Sequence, residues 1–228
     1  MGFLLESLKA SIHLIVTWDP AFSHAVWTSL YVSAWSIVFA SLLGIPAGLA
    51  VGLTEFSLKR PVITMLNSLM AVPTVLIGLL VYGFVSRQGP FGGLGLLFTP
   101  AAIIVGDALL AAPIVANLAL SSVRGSNTAI LPTAMTLGGS RFQSVLKLLS
   151  EIRFGMMAAV ISGFGRVVSE VGVAMMLGGN IFGYTRTMTT AIALETSKGE
   201  FAFGIALGLI LMAVALAVNI VFQFLQRR

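Results

Sequence analysis

The sequence contains no cysteine, and charged residues make up only 9% of its 228 residues. Without cysteine there can be no disulfide and no thiolate metal site. Soluble proteins carry roughly 25% charged residues, so this chain has too few charges for a fully water-exposed surface, and lipid must cover much of it. The net charge of +5 is compatible with nucleic-acid binding. However, the positions of the positive residues favour membrane topology instead, and we expect no nucleic-acid partner.

Residues that carry catalysis or metal binding are also scarce. His13 and His24 are the only histidines, and neither belongs to a metalloprotease or a Ser-His-Asp pattern. The sequence holds no G-x4-G-K-[S/T] phosphate loop, so any ATP hydrolysis has to take place on another chain. We therefore predict that the protein is not an enzyme and that this chain binds no metal or other cofactor.

The sequence does contain long apolar runs, at residues 27–53, 62–86, 101–121, 155–178 and 201–225. Each reaches the roughly 20 residues that a helix needs to cross a bilayer, whereas membrane β-strands are shorter and alternate in hydrophobicity. Pro73 and Pro113 lie inside the second and third runs and are expected to kink those helices. The sequence thus predicts an all-α, polytopic transmembrane helical bundle of about five spans, forming one domain over residues 1–228.

The positive residues indicate which way the bundle is inserted. With a cytoplasmic C-terminus, the inner segments hold Lys59, Arg60, Arg124, Arg141, Lys147, Arg153, Arg227 and Arg228. The outer segments then hold only Lys9, Arg87, Arg186 and Lys198. This asymmetry follows the positive-inside rule and predicts that the N-terminus lies outside and the C-terminus in the cytoplasm.

Residues 1–23 precede the first apolar run. Glu6 and Lys9 stand among leucines and isoleucine in a mildly amphipathic stretch over residues 1–17. This stretch lacks the basic start and the small-residue cleavage site of a signal peptide. We expect residues 1–23 to form an interfacial helix on the outer face, with a sixth, poorly formed span as the alternative.

The predicted cytoplasmic loop over residues 122–154 reads as two short helices joined by a glycine elbow. Pro132 suits the first turn of a helix, and Gly138 and Gly139 are typical of a helix C-terminus. Ser140 then begins a second helix, because Ser140 and Gln143 have the spacing of a capping box.

The second helix of this loop carries an apolar stripe. The stripe has i, i+3, i+4 and i+7 spacing and consists of Phe142, Val145, Leu146 and Leu149. Two interpretations are open. The stripe either rests on the ends of its own bundle as part of a connector, or it docks a soluble partner.

Three ionisable residues lie within the apolar runs. Arg166 and Glu170 are four residues apart, hence on one helical face, near the middle of the fourth run. Charges at this depth usually face a partner or an aqueous cavity. The pair is thus either a structural ion pair or part of a transport pathway. Asp107, in the third run, is either a second partner for Arg166 or an exposed residue near a helix end.

Two segments resemble permease subunits of binding-protein-dependent ABC importers. Their cytoplasmic loop has the pattern E-A-A-x3-G-x9-I-x-L-P, of which this chain keeps Ala134 and Gly138, with Pro132 in place of the glutamate and Ser150-Glu151 in place of Leu-Pro. Downstream, the sequence Ser169-Glu170-Val171-Gly172 and the run 176–185, MLGGNIFGYT, are similar to the G-E-x-G and M-x-x-G-N-I-x-G-x-T elements of the oxyanion-importing branch. Within that branch the tungstate permeases are the most similar, followed by molybdate and sulfate permeases.

The resemblance implies a multi-subunit machine in the inner membrane. The permease would form a homodimer, two cytoplasmic ATPase subunits would bind ATP and Mg²⁺, and an extracytoplasmic binding protein would deliver the oxyanion. The loop over residues 122–154 would couple ATP hydrolysis to the bundle. The ATPase-contacting residues would be Ala134, Gly138, Gly139, Ser140, Phe142, Val145, Leu146 and Leu149. Tungstate is the expected cargo, with molybdate or sulfate as alternatives. An anion channel or a secondary transporter without an ATPase is the alternative from another class.

Small polar residues follow the fourth run and are candidates for the anion pathway. Asn180, Thr185 and Thr187 lie around Arg186 in a glycine-rich segment. An oxyanion accepts hydrogen bonds on every oxygen, and weak distributed donors bind it without trapping it. Together with Arg166 and Glu170, these three residues form the predicted pathway, and an ordinary outer loop with turn chemistry is the alternative for them.

Overall fold

The computed structural model describes residues 2–126 and 129–226. Residues 127 and 128 of the predicted loop lie outside the described residues, as do Arg227 and Arg228, which contributed to the predicted topology. The described part is helical, with a short 3₁₀ helix at Gly92–Leu94 and no strand. Its helices are α1 Gly2–Thr17, α2 Pro20–Leu53, α3 Lys59–Met70, α4 Thr74–Val85, α5 Pro100–Arg124, α6 Ile130–Thr136, α7 Arg141–Glu151, α8 Arg153–Val168, α9 Gly172–Gly178, α10 Met188–Lys198 and α11 Phe201–Gln226.

Five apolar runs correspond to three continuous helices and two broken pairs. Helices α2, α5 and α11 are each long and apolar enough to cross a membrane. The second run is divided into α3 and α4, which meet at 98°, and the fourth run into α8 and α9, which meet at 60°. The prediction of an all-α polytopic bundle is confirmed. The sequence predicted one continuous helix for the fourth run, but the helix is interrupted between Val168 and Gly172.

The two prolines inside the runs have different effects. Pro73 separates α3 from α4 and directly precedes the first residue of α4. Because proline lacks a backbone N–H and restricts the residue before it, a helix boundary at this point is expected. Pro113, by contrast, lies within α5, and the helix continues through it without a break. Only the first proline therefore divides a run.

Helices α2 and α5 form the centre of the bundle, and glycines let them approach closely. Gly44 and Gly48 of α2 are buried against the backbone of α5. A Cβ atom at Gly44 would lie 2.7 Å from the carbonyl oxygen of Ala112, closer than real Cβ atoms come to any oxygen. Small residues at membrane helix interfaces allow this kind of backbone contact, which dispersion forces then stabilise.

Helix α1 packs against the last helix, α11. Leu14 and Ile15 of α1 pack on a cluster that contains Phe22, Met188 and Leu207. The helical character of residues 1–17 agrees with the sequence prediction. The predicted limit at residue 23 is too late, because Asp19 caps a new helix that begins at Pro20. With Pro20 at its first position, α2 has a fixed start.

A further helix, α10, lies between the fourth and fifth runs, where the sequence suggested only a polar outer loop. It begins with a reciprocal capping box formed by Thr187 and Thr190 and ends at Gly199, which has a φ of 86°. The buried face of α10 includes Met188 and Ala191, which belong to the same cluster as Phe22. Its threonine-rich sequence concealed this helix, because threonine favours caps and strands over helix interiors.

Candidate functional site

The glycine elbow between α6 and α7 has the local structure that its sequence predicts. Gly138 has a φ of 87°, a conformation that costs residues with a Cβ atom free energy. The N–H of Gly139 donates to the carbonyl oxygen of Ala134 over 3.0 Å, which ends α6. The Ser140 hydroxyl and the Gln143 amide then form the predicted capping box at the start of α7. The elbow is thus a rigid turn held by backbone hydrogen bonds.

Helix α7 attaches to the bundle by a different set of residues from the predicted stripe. Leu148 is 1% exposed and forms a buried cluster with Val123 and Ile152. Phe142 is 73% exposed and Leu146 is exposed as well. From the predicted stripe, only Val145 and Leu149 are half-buried. The stripe is therefore divided between an inner edge that rests on the bundle and an outer edge that is free.

The free edge of α7 lies beside an apolar groove. The groove has a volume of about 340 Å³ and lies between α6 and the Lys147 side chain of α7, with Ala134 and Leu137 among its lining residues. Leu137 and Met135 are exposed next to it. Exposed apolar residues around one rigid turn are typical of a protein contact surface.

Arg166 and Glu170 meet across the break between α8 and α9. The Arg166 Nη1 donates to the Glu170 Oε2 over 2.8 Å, and their side chains are 38% and 3% exposed. The predicted pairing is present, but it does not lie within one continuous helix, because α8 ends at Val168 and Glu170 follows the end. The guanidinium thus remains partly open while the carboxylate is enclosed.

Glu170 also organises the start of α9. Its Oε1 accepts hydrogen bonds from the N–H groups of Gly172 at 2.8 Å and Val173 at 3.3 Å. Its main-chain carbonyl oxygen accepts a bond of 2.6 Å from the Thr189 hydroxyl at the start of α10. A carboxylate near helix N–H groups is stabilised by the helix dipole. One residue thus connects the ends of α8, α9 and α10.

Asp107 lies close enough to interact electrostatically with both Glu170 and Arg166. It is 3% exposed, and within the described residues its Oδ1 has no hydrogen-bond partner. Of the two alternatives for Asp107, the exposed helix-end residue is wrong, because α5 extends from Pro100 and carries Asp107 inside the bundle. The polar cluster at the break thus contains two carboxyl groups and one guanidinium.

The remaining candidate residues form a tight hydrogen-bonded turn between α9 and α10. The Thr185 hydroxyl donates to the Gly178 carbonyl oxygen over 2.6 Å and accepts from the Ile181 N–H. The Thr187 hydroxyl lies 3.0 Å from that of Thr189. Asn180 has a φ of 51° and a buried Oδ1 that is unpaired within the described residues. In this conformation the two threonine hydroxyls are occupied by the chain's own groups.

A hydrogen bond between α5 and α3 was not predicted from the sequence. The Asn117 amide in α5 donates to the Asn67 Oδ1 in α3, next to the Met70 sulfur. Asn67 is exposed and Asn117 half-buried. The sequence contains one asparagine in each of these two apolar runs, and amide side chains within a membrane usually form hydrogen bonds with another helix. Their pairing could have been predicted on this basis.

Known proteins resemble this chain over its full length. No protein-family profile matches the chain. It is 37% identical over 226 residues to the tungstate uptake system permease protein TupB of Peptoclostridium acidaminophilum, covering 99% of each chain. It is 40% identical to TupB of Campylobacter jejuni over 100% of this chain and 95% of the relative. A more distant relative is the molybdenum transport system permease protein ModB of Azotobacter vinelandii, which is 26% identical over 78% of this chain and 82% of its own length.

Solved structures give the same fold at lower sequence identity. A chain of the MetNI methionine ABC transporter superposes with a TM-score of 0.76 at 18% identity, covering 93% of this chain and 96% of that one. A chain of the bacterial alginate ABC transporter, solved with its alginate-bound periplasmic protein, gives 0.74 at 19% identity, over 92% and 80% of the two chains. The chain is a multi-pass transport subunit that belongs to the permeases of binding-protein-dependent ABC importers, in the oxyanion branch and the family of the tungstate uptake permeases.

Proposed function

We propose that this subunit forms the membrane pathway for tungstate import, driven by ATP hydrolysis on a separate subunit. The observation that carries the proposal is the identity of 37–40% to two tungstate uptake permeases over nearly the whole chain. Molybdate and sulfate are tetrahedral dianions with the same charge, so they are the alternative cargoes. Selection among the three depends largely on the extracytoplasmic binding protein that supplies the pathway.

The proposed assembly contains two copies of this permease, two ATPase subunits and one binding protein. ATP and Mg²⁺ are bound by the ATPase subunits. Each ATPase docks on the elbow, with Phe142 and Leu146 filling a groove on its surface. Two features support this contact: the outer edge of α7 is exposed, and Leu148 anchors α7 to the bundle. A movement of the elbow is thereby transmitted to α5 and α8.

In the proposed pathway, Arg166 attracts the dianion and Glu170 prevents it from binding too tightly. The partly exposed guanidinium and the enclosed carboxylate support this division of roles. Asn180, Thr185 and Thr187 contribute by holding the turn that ends at α10, because the threonine hydroxyls are already engaged. A full positive charge that is already paired suits a site that must also release its anion.

The proposed orientation places the N-terminus outside and the C-terminus in the cytoplasm of the inner membrane. The elbow between α6 and α7 is then on the side where ATP is available. Support comes from the positive-inside distribution, in which Arg124, Arg141, Lys147 and Arg153 flank the elbow.

Reconstituted transport tests the proposal. Proteoliposomes that contain the permease, its ATPase and its binding protein are expected to accumulate tungstate only with internal ATP, and to prefer tungstate over molybdate and sulfate. An ATPase variant without its phosphate-loop lysine is the matched control. Equal flux with that control would identify a channel instead, and a preference for sulfate or molybdate would change the cargo while keeping the ABC mechanism.

A further inference from the structure

A cavity of about 880 Å³ opens on the predicted cytoplasmic side, between the end of α2, the start of α3 and the end of α5. Its lining includes three basic residues, Lys59, Arg60 and Arg124, and one acidic residue, Glu55. Three positive charges and one negative charge leave a surplus of two positive charges. We propose that this cavity binds a tetrahedral oxyanion, and that the phosphodiester headgroup of an anionic phospholipid is its principal source.

The three basic residues of the cavity differ in whether an acidic side chain pairs with them. Lys59 donates to Glu55 over 2.6 Å, with side chains that are 14% and 88% exposed, so the Lys59 charge already has a partner. Arg60 and Arg124 are exposed, and within the described residues neither forms an ion pair. Two guanidinium groups without carboxylates can each offer two parallel N–H donors to one oxyanion.

The start of α3 adds to the positive potential. The N-cap residue, Leu58, provides no side-chain acceptor for the first turn of α3. The Lys59 N–H donates to the Phe56 carbonyl oxygen and Pro61 has no N–H, so within the described residues the Arg60 N–H is the first-turn group without an acceptor. Such an N–H carries a partial positive charge and favours an anion nearby. The Ser57 and Ser126 hydroxyls also line the cavity and can donate to further oxygens of the same anion.

The lining of the cavity also contains apolar side chains, which points to a lipid rather than to a free ion. These are Leu53, Phe56, Val123, Leu131 and Leu148. The apolar helices α2 and α5 end here and α3 begins here, which puts the cavity at the level where headgroups meet acyl chains. Basic pockets between membrane helices on the cytoplasmic side have the chemistry of anionic lipid sites.

Occupancy of the cavity would also affect the elbow. Leu148 of α7 and Val123 of α5 belong to one buried cluster, and Leu131 of α6 packs against it. A lipid in the cavity would therefore contact both helices of the elbow and the ends of α2 and α5 at the same time. We expect it to stiffen the attachment of the elbow to the bundle, whichever anion the permease transports.

Lipid binding to the full-length permease, purified in a neutral detergent, tests the site. Titration with phosphatidylglycerol, followed by native mass spectrometry and by the midpoint of thermal unfolding, is expected to show saturable binding and stabilisation. Phosphatidylcholine is expected to give neither. Arg60→Gln and Arg124→Gln should each weaken phosphatidylglycerol binding about fivefold, since one basic residue near an anionic lipid surface contributes on the order of 1 kcal/mol.

Arg153→Gln is the matched control. It removes the same charge on the same side, from an exposed residue that does not line the cavity and stacks on Phe154 instead. It should bind phosphatidylglycerol like the unaltered protein. Arg60→Lys keeps the charge without the two-pronged donor and is expected to be intermediate, which covers the case that Arg60→Gln folds poorly.

A second arm separates the two sources of oxyanion. Phosphate or tungstate at millimolar concentration should not displace phosphatidylglycerol if the lipid is the occupant. If these ions displace the lipid, and Arg60→Gln and Arg124→Gln abolish their effect, the same cavity binds free oxyanions. The proposal is overturned if the two variants bind phosphatidylglycerol as tightly as the unaltered protein, or if Arg153→Gln weakens binding equally.

Discussion

Arg166 and Glu170 form an ion pair of 2.8 Å across a helix break, and the same carboxylate accepts a hydrogen bond from the N–H of Gly172. Because the second oxygen of Glu170 is used by α9, the pair does more than neutralise two charges. It links the end of α8 to the first N–H groups of α9, at a break where the two helices meet at 60°. This double use of one carboxylate makes its structural and transport roles separable by mutation.

Glu170→Ala is expected to destabilise the protein more than Glu170→Gln. The alanine variant loses the ion pair and the Oε1 atom that accepts from the N–H groups of Gly172 and Val173, whereas glutamine keeps an oxygen for them. The Arg166 side chain is 38% exposed, so water can solvate it after the change, and the loss should be about 2 kcal/mol, less than for a fully buried pair. The glutamine variant should lose about half of that. Thermal unfolding in detergent measures both. The exposed Glu151→Ala serves as the control, and equal midpoints for all three variants would contradict the capping role.

Arg166→Met is expected to fold, because Glu170 retains its hydrogen bonds to the N–H groups of Gly172 and Val173. Tungstate uptake should nevertheless fall at least about tenfold, a loss of about 1.4 kcal/mol of favourable interaction with the dianion. Arg166→Lys keeps the charge and should retain more uptake. Normal uptake by a stable Arg166→Met protein would assign Arg166 a purely structural role.

Phe142→Ala and Leu148→Ala are expected to have opposite effects, although both residues are apolar and lie on α7. Phe142 is exposed, so its loss should change stability by less than about 0.5 kcal/mol while weakening ATPase association and transport. Leu148 is buried, so its loss should cost about 2–5 kcal/mol. Co-purification of the ATPase and thermal unfolding distinguish the two. An ATPase that binds the Phe142→Ala protein normally would move the docking surface elsewhere.

Gly48→Ala is expected to disrupt the packing of α2 on α5, because its Cβ atom would overlap the Ala116 carbonyl oxygen. Overpacking of this kind costs about 1–3 kcal/mol. Gly208→Ala on α11 is the matched control, since no atom lies within 4 Å of the position of its Cβ. The control should be neutral or stabilising in a thermal unfolding assay. Equal midpoints for the two variants would be inconsistent with a close contact between α2 and α5.

Cysteines at Ser150 and Gly93 test the orientation of the chain. Both positions are exposed, and a side chain at Gly93 would meet nothing within 4 Å. Ser144, by comparison, is buried and unsuitable for labelling. An impermeant thiol reagent should modify Ser150→Cys only from the cytoplasmic side and Gly93→Cys only from outside. The reverse pattern would place the elbow away from the cytoplasmic ATP.

The sequence by itself determined the features that depend on local chemistry. The apolar runs predicted a helical membrane protein, since each is long enough to cross the bilayer as a helix, whereas membrane β-strands are shorter and alternate in hydrophobicity. Gly138 and the Ser140 capping box predicted the elbow because a left-handed glycine and a reciprocal cap depend only on neighbouring residues. Residues 176–185 predicted the oxyanion branch, and the full-length relatives agree.

Only the tertiary structure decided how the charges and faces are used. The spacing of Arg166 and Glu170 predicted their contact, but the helix break and the bonds to Gly172 arise from the packing of α9 against α4 and α5. The periodicity of the stripe on α7 fitted both packing on the bundle and docking of a partner. The buried cluster around Leu148 determines which side of α7 packs on the bundle. The burial of Asp107 and the packing of α10 likewise depend on contacts between distant segments. Periodicity records which residues are apolar, whereas the partner helix determines which of them are buried.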